Sequence, residues 1–418
     1  MHTEHVPSDQ SGARPGPAEY RELLREHLAP LRERARRSTH LPLVACAGSV
    51  LAVELRAPVD LPLFVNSQMD GYAVRSADVA GAGPGSPVRL QVVGTTMAGD
   101  EPGQEVDDDE ARKVMTGAAV PSGADCVIPV EDTEVDGDAV LVLRPRSAGE
   151  FVRRPGDDVR EGDLVLPAGV RIAERHLAAA ASLGVSGLDV RPRPRVGVIA
   201  TGAELVPPGR PLGPGQIWES NAVTLSAALQ ACGCTVSTSI TSGDDPQEFA
   251  AALDSACTDA DLVVTAGAVS MGDAEVVRQV LGDRADSRFG PVAMQPGGPQ
   301  GLAGWRDTPV VCLPGNPVSA LVSFVVLLRP LLLEAVGREP VRAVRGRLTG
   351  AVSSPAGRTQ YLRAVLGPGV DGERPTVEPV SGPGSHLVAT MARADVLAEI
   401  PADVTELPAG AEVEALPL

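Results

Sequence analysis

The sequence predicts a multidomain α/β plus β protein: a three-layer α/β/α domain with β-rich N-terminal domains before it and a C-terminal β-barrel after it. Three observations carry this prediction. Between about residues 43 and 190 the apolar runs are short, β-type and punctuated by glycine. After Arg191-Pro-Arg-Pro194 the period changes, and strand-like runs alternate with helical ones as far as residue 336. That alternation is the mark of a parallel sheet covered on both faces. After Gly337 short strands separated by turn residues return over about 75 residues, the size of a compact barrel.

Each element has its own reason. Residues 1–17 are rich in Pro, Gly and Ser and read as a disordered tail. Residues 18–37 read as a helix, because Leu23, Leu24, Leu28 and Leu31 fall near helical spacing. Residues 18–63 and 151–192 then form a helix-plus-linker, elongated β-rich domain, into which a second β-rich domain, 64–150, is inserted. Strands are expected at 88–93, 126–130 and 139–143, and a short helix at 177–183. In the α/β domain, 193–336, strands are expected at 196–200, 235–240, 262–265 and 310–313. Helices are expected at 221–232, 246–257, 273–281 and 317–336. The barrel, 337–418, has strands at 345–348, 361–366, 376–379 and 397–400.

Composition narrows the function. Apolar residues make up 43%, enough for full cores, but aromatics only 2%, so platforms for single-stranded nucleic acid are not expected. The formal charge is −18, and the one basic cluster, 32–37, reads as a solvated helix face. Neither nucleic acid nor an anionic membrane is an expected partner. Lys113 is the only lysine, a sign of drift from Lys to Arg. The six cysteines form no CxxC pair and read as buried thiols in a reducing compartment. The polar start lacks an apolar signal region, so the cytoplasm is the expected location. The apolar stretch 318–336 is interrupted by Ser323, Arg329-Pro330 and Glu334 and reads as a buried helix.

The chemistry sits in loops. Thr265-Ala-Gly-Ala-Val-Ser270, Gln295-Pro-Gly-Gly-Pro299 and Leu313-Pro-Gly-Asn-Pro-Val-Ser319 are glycine-and-proline loops beside strands or helix starts. Such loops bring backbone N–H groups close to an anion. Ligands of parallel sheets bind at the carboxyl ends of the strands, so 201–204, 265–270 and 314–319 are expected to converge. Asp70-Gly71 reads as a turn or as a metal or general-base carboxylate. Thr116 offers a hydroxyl on a tight loop. Arg153-Arg-Pro-Gly-Asp-Asp158 reads as a salt-bridge cluster or a site. Gly243-Asp-Asp-Pro246 reads as a helix cap, a ligand, or both.

In their order these segments resemble the molybdopterin molybdenumtransferase family, the MoeA-type enzymes related to the C-terminal domain of gephyrin. The resemblance covers about residues 20–415. It rests on Asn66-Ser-Gln-Met-Asp-Gly-Tyr-Ala73, Met115-Thr-Gly-Ala118, Ala200-Thr-Gly-Ala-Glu-Leu205, Ser220-Asn221, Asp244-Asp-Pro246, Val269-Ser-Met-Gly-Asp273, Leu313–Ser319 and Gly384-Ser-His386. It implies a homodimer, a molybdopterin-binding α/β/α domain, and an enzyme of molybdenum cofactor biosynthesis. Such an enzyme takes adenylylated molybdopterin and molybdate as substrates, uses Mg²⁺ and releases AMP. Other cofactor-biosynthesis proteins and molybdoenzymes are implied partners. By motif position the catalytic set is Asp70, Thr116, Asp158, Glu204 and Asp244, with Asp70, Glu204 and Asp244 as metal ligands. The substrate-binding set is Gly202, Asn221, Gly267, Ser270, Asp273, Glu275, Arg278, Pro299, Gly315, Asn316, Ser319, Arg363 and Ser385.

The chain departs from the family pattern at defined points. Ala203 replaces a carboxylate, Ala268 replaces a glycine, and Glu275 and Arg278 are conservative exchanges. The family's Lys-Pro-Gly-Lys-Pro reads Gln295-Pro-Gly-Gly-Pro299, which removes two cations from an anion site. Such a loss weakens anion binding by roughly 2–5 kcal/mol per desolvated charge. Arg278, Arg306, Arg329 and Arg363 are candidates to compensate. A catalytically attenuated or inactive paralogue, acting as a pterin-binding or scaffold protein, is the alternative.

Overall fold

The computed structural model describes residues 14–269, 275–369, 374–380, 382 and 384–418. The chain divides into two compact units, one of residues 40–47 and 53–188, the other of the remaining described residues.

The first unit is built on a six-stranded sheet of Gly71–Val74 (β1), Val88–Thr96 (β2), Glu110–Val114 (β3), Cys126–Pro129 (β4), Thr133–Asp136 (β5) and Ala139–Val142 (β6), in the order β4-β1-β3-β2-β6-β5. Its core is Tyr72, Val74, Leu90, Ile128 and Val140. Gly71 opens strand β1, and Asp70 is the bend residue just before it. The glycine is required, because a Cβ on Gly71 would lie 2.1 Å from the Ile128 carbonyl oxygen across the ladder. Strands β1, β3 and β5 escape the sequence reading because they are short and polar residues interrupt them.

In the second unit the N-terminal helix is two helices, Pro17–His27 (α1) and Ala29–Ala35 (α2), with Pro30 at the break. Tyr20, Leu24, Leu28 and Leu31 are buried in the core of the α/β domain, so these helices belong to it and not to the β-rich residues that follow. Residues 1–13 of the expected tail lie outside the described residues.

The α/β sheet consists of Arg195–Thr201 (β7), Thr235–Ser242 (β8), Leu262–Ala266 (β9), Arg288–Pro291 (β10), Pro299–Trp305 (β12) and Thr308–Leu313 (β13), in the order β8-β7-β9-β13-β12-β10; Met294–Gln295 (β11) lies outside it. The first four are parallel. Strand β12 pairs antiparallel with β13, and β10 antiparallel with β12, a correction to the expected all-parallel sheet. Pro291, Pro299 and the glycines of β12 hid these edge strands.

Helices Asn221–Ala231 (α3) and Pro317–Ala335 (α6) cover one face with α1. Helices Pro246–Cys257 (α4) and Val276–Leu281 (α5) cover the other. Alternation along β7 sorts the layers: Val196, Val198 and Ala200 join the first core and Ile199 the second. Helix α5 begins at Val276, and residues 270–274 before it lie outside the described residues. Among the described residues α6 is the one helix long and apolar enough to cross a membrane, and here it is a core helix, mostly buried.

The C-terminal strands Val344–Leu348 (β14), Thr359–Gly367 (β15), Thr376–Pro379 (β16), Val396–Ile400 (β17) and Glu412–Pro417 (β18) close into a barrel, β15-β16-β14-β18-β17, sealed by β15 pairing with β17. Strand β11 adds to its edge, Gln295 opposite Gln360. The loop after α5 is thereby tied to the barrel.

Candidate active site

The register of the parallel strands brings their carboxyl ends level: Ala200 pairs with Ala266, and Ala266 with Leu313. The three loops that follow close on one another. A Cβ on Gly267, whose φ is +116°, would lie 2.4 Å from Thr201 Oγ1. One on Gly315 would lie 3.2 Å from the Gly267 Cα. Only glycine permits this approach. The loops wall a cavity of about 400 Å³ whose lining includes Glu204, Asn221, Gly267, Glu275, Pro299, Gly315, Asn316 and Ser319. Eight of the expected site residues are thus brought together.

Two helix N-termini also reach this cavity, at Asn221 of α3 and at Pro317 and Ser319 of α6. At α3 the Ala222 N–H is taken by the buried Glu219 carboxylate at 2.7 Å, whereas the first N–H groups of α6 have no partner within the helix and carry the positive end of its dipole. Asn221 is buried, donates from Nδ2 to the Gly315 carbonyl at 2.7 Å, and leaves Oδ1 without a partner. That oxygen is an acceptor awaiting a donor. No Lys or Arg lines the cavity among the described residues, whereas Glu204 and Glu275 do. Positive potential here comes from backbone, not side chains.

The other expected residues lie around this cavity or in the first unit. Gly202 has φ +153°, and the Glu204 carboxylate folds back over it, 2.6 Å from where its Cβ would be. Asp244 accepts from the Ala203 N–H at 3.3 Å, while its neighbour Asp245 caps α4 by accepting from Gln247 and Glu248. Cap and candidate ligand are therefore separate residues. Ser385 Oγ accepts from Asn316 Nδ2 at 3.1 Å, which brings a barrel loop to the cavity rim. Arg363 is buried and donates to the carbonyls of Leu387 and Gly382, so it shapes that loop. Burial, with no carboxylate beside it, lowers its pKa.

Two of the expected compensating cations are committed elsewhere. Arg329 is buried and donates to the Pro417 carbonyl at 2.6 Å, and Arg306 pairs with Asp254 at 2.7 Å. Arg278 is on α5 and does not line the cavity. Ser270 and Asp273 lie outside the described residues. Gln295 Oε1 accepts from Gln360 Nε2 at 3.0 Å and faces the barrel.

Asp70, Thr116 and Asp158 belong to the first unit. Thr116 donates to Asp70 Oδ1 from its N–H at 2.7 Å and its Oγ1 at 2.8 Å, and these bonds hold the Asp70 carboxyl below its usual range. Asp158 lines a cavity of about 620 Å³ with Asn66, Gly117, Arg153 and Asp157. Among the described residues no three or more His, Cys, Asp or Glu are grouped as a metal cage. Thr201, Trp218 and Ser220, to which the sequence reading gives no site role, also line the main cavity; Thr201 and Ser220 lie within the quoted motifs, and Trp218 two residues before one.

Burial pushes the thiols of Cys126, Cys234 and Cys312 up to about 12, so they are inert at neutral pH.

Residues 17–184 match the family model for the MoeA N-terminal region (domain I and II), 197–334 that for a probable molybdopterin binding domain, and 345–418 that for the MoeA C-terminal region (domain IV). The chain is 44% identical over 390 residues to molybdopterin molybdenumtransferase 2 of Mycobacterium tuberculosis, covering 91% of this chain and 95% of that protein. It is 36% identical to molybdopterin molybdenumtransferase 1 of the same organism, covering 91% and 94%. A solved molybdopterin biosynthesis MoeA protein from Pyrococcus horikoshii superposes with a TM-score of 0.74 at 33% identity, covering 91% of this chain and 94% of that one.

Proposed function

Because this chain belongs to the molybdopterin molybdenumtransferase (MoeA) family, we propose that it inserts molybdate into adenylylated molybdopterin and releases AMP. The observation that carries this reading is the cavity at the carboxyl ends of β7, β9 and β13. It has the N-terminus of α6 for a phosphate and the unpartnered acceptor Asn221 Oδ1 for a donor on the pterin.

The residues present fit a Mg²⁺ ion of the usual kind. Magnesium takes one or two carboxylates and completes its shell with water and substrate phosphate oxygens. Glu204 and Asp244, on neighbouring loops with Ala203 N–H touching Asp244, are the donors that would hold it, and Asp70 is a third candidate. The bound ion would offset pyrophosphate charge as the adenylate phosphorus is attacked by water.

The chain's own groups supply the rest. The N–H groups at the start of α6 bind the anionic end of the substrate. Asn221 fixes the orientation of its neutral end. Asp70, kept ionised by Thr116, offers an anionic ligand, and Asp158 is assigned a supporting role in the same reading. Ser319 and Ser385 supply hydroxyl donors to the oxyanion, and Arg363 holds the loop that carries Ser385. A homodimer and docking with other cofactor-biosynthesis proteins and molybdoenzymes, in the cytoplasm, complete the proposal; sedimentation velocity tests the dimer.

One observation favours the second reading, an attenuated or non-catalytic pterin-binding paralogue: among the described residues no cation lines the cavity, and Gln295 is turned to Gln360. Incubation of the pure protein with adenylylated molybdopterin, Mg²⁺ and molybdate decides. Release of AMP with formation of cofactor supports the transferase. AMP without cofactor supports attenuation, and neither product supports a binding or scaffold protein.

A further inference from the structure

An aromatic ring stands in the wall of the cavity. Trp218 lines it and is 55% exposed, beside Ile217 at 53%. Aromatics make up 2% of the chain, and the large fully buried side chains are mostly Leu and Ile. Among the described residues the exposed aromatic rings are Phe64 and Trp218, and Trp218 is the one that lines this cavity. The ring is also held in place. Its strand, Ile217–Trp218, pairs in parallel with Leu205–Val206, and the indole Nε1–H donates to the Arg210 carbonyl at 2.9 Å. With its N–H engaged by its own loop, the ring has only its π face and apolar edge to offer a ligand.

We propose that Trp218 is the platform on which the planar heterocycle of the substrate stacks, a specificity contact that rests on the family reading above. The charge of the site makes such a contact useful. Glu204 and Glu275 oppose the anionic part of a substrate, and no Lys or Arg in the lining answers them. Stacking on a neutral ring is indifferent to that charge, and the contribution of one aromatic to one base is about tenfold in affinity or more. The shared chemistry is a flat, nitrogen-rich bicycle, which both the pterin and the adenine of an adenylylated pterin provide.

The two tryptophans, Trp218 and Trp305, give two indole N–H signals in the ¹⁵N-labelled protein, assigned by the loss of one of them in Trp218→Ala. Trp305, bonded to Asp254 at 2.7 Å and not part of the cavity lining, is the internal control. Titration with AMP, with 6-hydroxymethylpterin and with ribose 5-phosphate separates the sources. The expected result is a saturable shift of the Trp218 signal with at least one ring ligand, none with ribose 5-phosphate, and a still Trp305. Trp218→Ala should then weaken that ligand about tenfold and raise KM for AMP release with little change in kcat. Trp218→Phe should stay within about threefold of wild type. Ring ligands that bind without moving the Trp218 signal, affinity unchanged in Trp218→Ala, or no binding of either ring ligand would each overturn the platform. A wild-type protein that shifts this signal but releases no AMP would sink the transferase reading and leave the platform standing.

Discussion

At Ala268 the chain carries a side chain where its relatives' pattern has glycine, and its φ is +51°. A Cβ in the left-handed region costs about 1–2 kcal/mol, partly offset by the greater flexibility of an unfolded glycine. Ala268→Gly should therefore raise stability by up to about 1 kcal/mol, read as a higher urea midpoint. Gly267→Ala should do the reverse, because the new methyl meets Thr201 at 2.4 and 2.5 Å in a backbone already at φ +116°. A loss of roughly 3 kcal/mol or more is expected, together with loss of ligand binding. Glu399 gives a pH signature. Burial holds its carboxyl above the usual range, Arg21 offsets this in part, and Glu414, directly opposite on β18, adds to it. Its folded-state pKa is raised, so the ionised form destabilises the fold. The penalty is absent below the ordinary carboxylate pKa and grows as pH rises through the raised value. Glu399→Gln should thus be more stable than wild type at about pH 8 and level with it at about pH 4, a contrast that urea unfolding at the two pH values would measure.

Helix α4 and the loop before it divide two functions between adjacent carboxylates. Asp245 caps the helix with two bonds of 2.9 Å, and Asp244 reaches Ala203. Asp245→Ala should lower stability by about 1 kcal/mol and leave AMP release per folded molecule close to wild type. Asp244→Ala should leave stability nearly unchanged and abolish Mg²⁺-dependent turnover; equal stability losses in both variants would refute the division. The antiparallel strands β10 and β12 matter for the same reason of placement. They carry the chain from α5 back to β13, and on the way β11 is added to the barrel edge, which fixes where Gln295 points.

The whole molecule carries a net charge of −18, and among the described residues no Lys or Arg lines the cavity proposed to take the anionic substrate. Screening should then help: the apparent KM for molybdate is expected to fall as salt rises over the physiological range, the opposite of a lysine-lined site. Replacing both Gln295 and Gly298 by Lys should lower that KM and reverse its salt dependence. Position 298 has room for the change, since an added Cβ would meet nothing closer than 3.7 Å. An unaltered KM and salt slope in the double variant would show that these positions do not face the anion.

By itself the sequence determined the layers, the alternation of β7, and the three glycine loops at the strand ends, because period and glycine chemistry act over a few residues. It could not show the antiparallel edge, whose prolines and glycines obscure the strand pattern, nor the partner each polar side chain finds. Asn221 bonds Gly315 from 94 residues away and Gln295 bonds Gln360 from 65 away. Only the packed chain decided these, and with them the absence of a cation from the cavity lining among the described residues. Long-range partners are set by which surfaces the burial of Val, Leu and Ala brings together, and no local pattern encodes that choice.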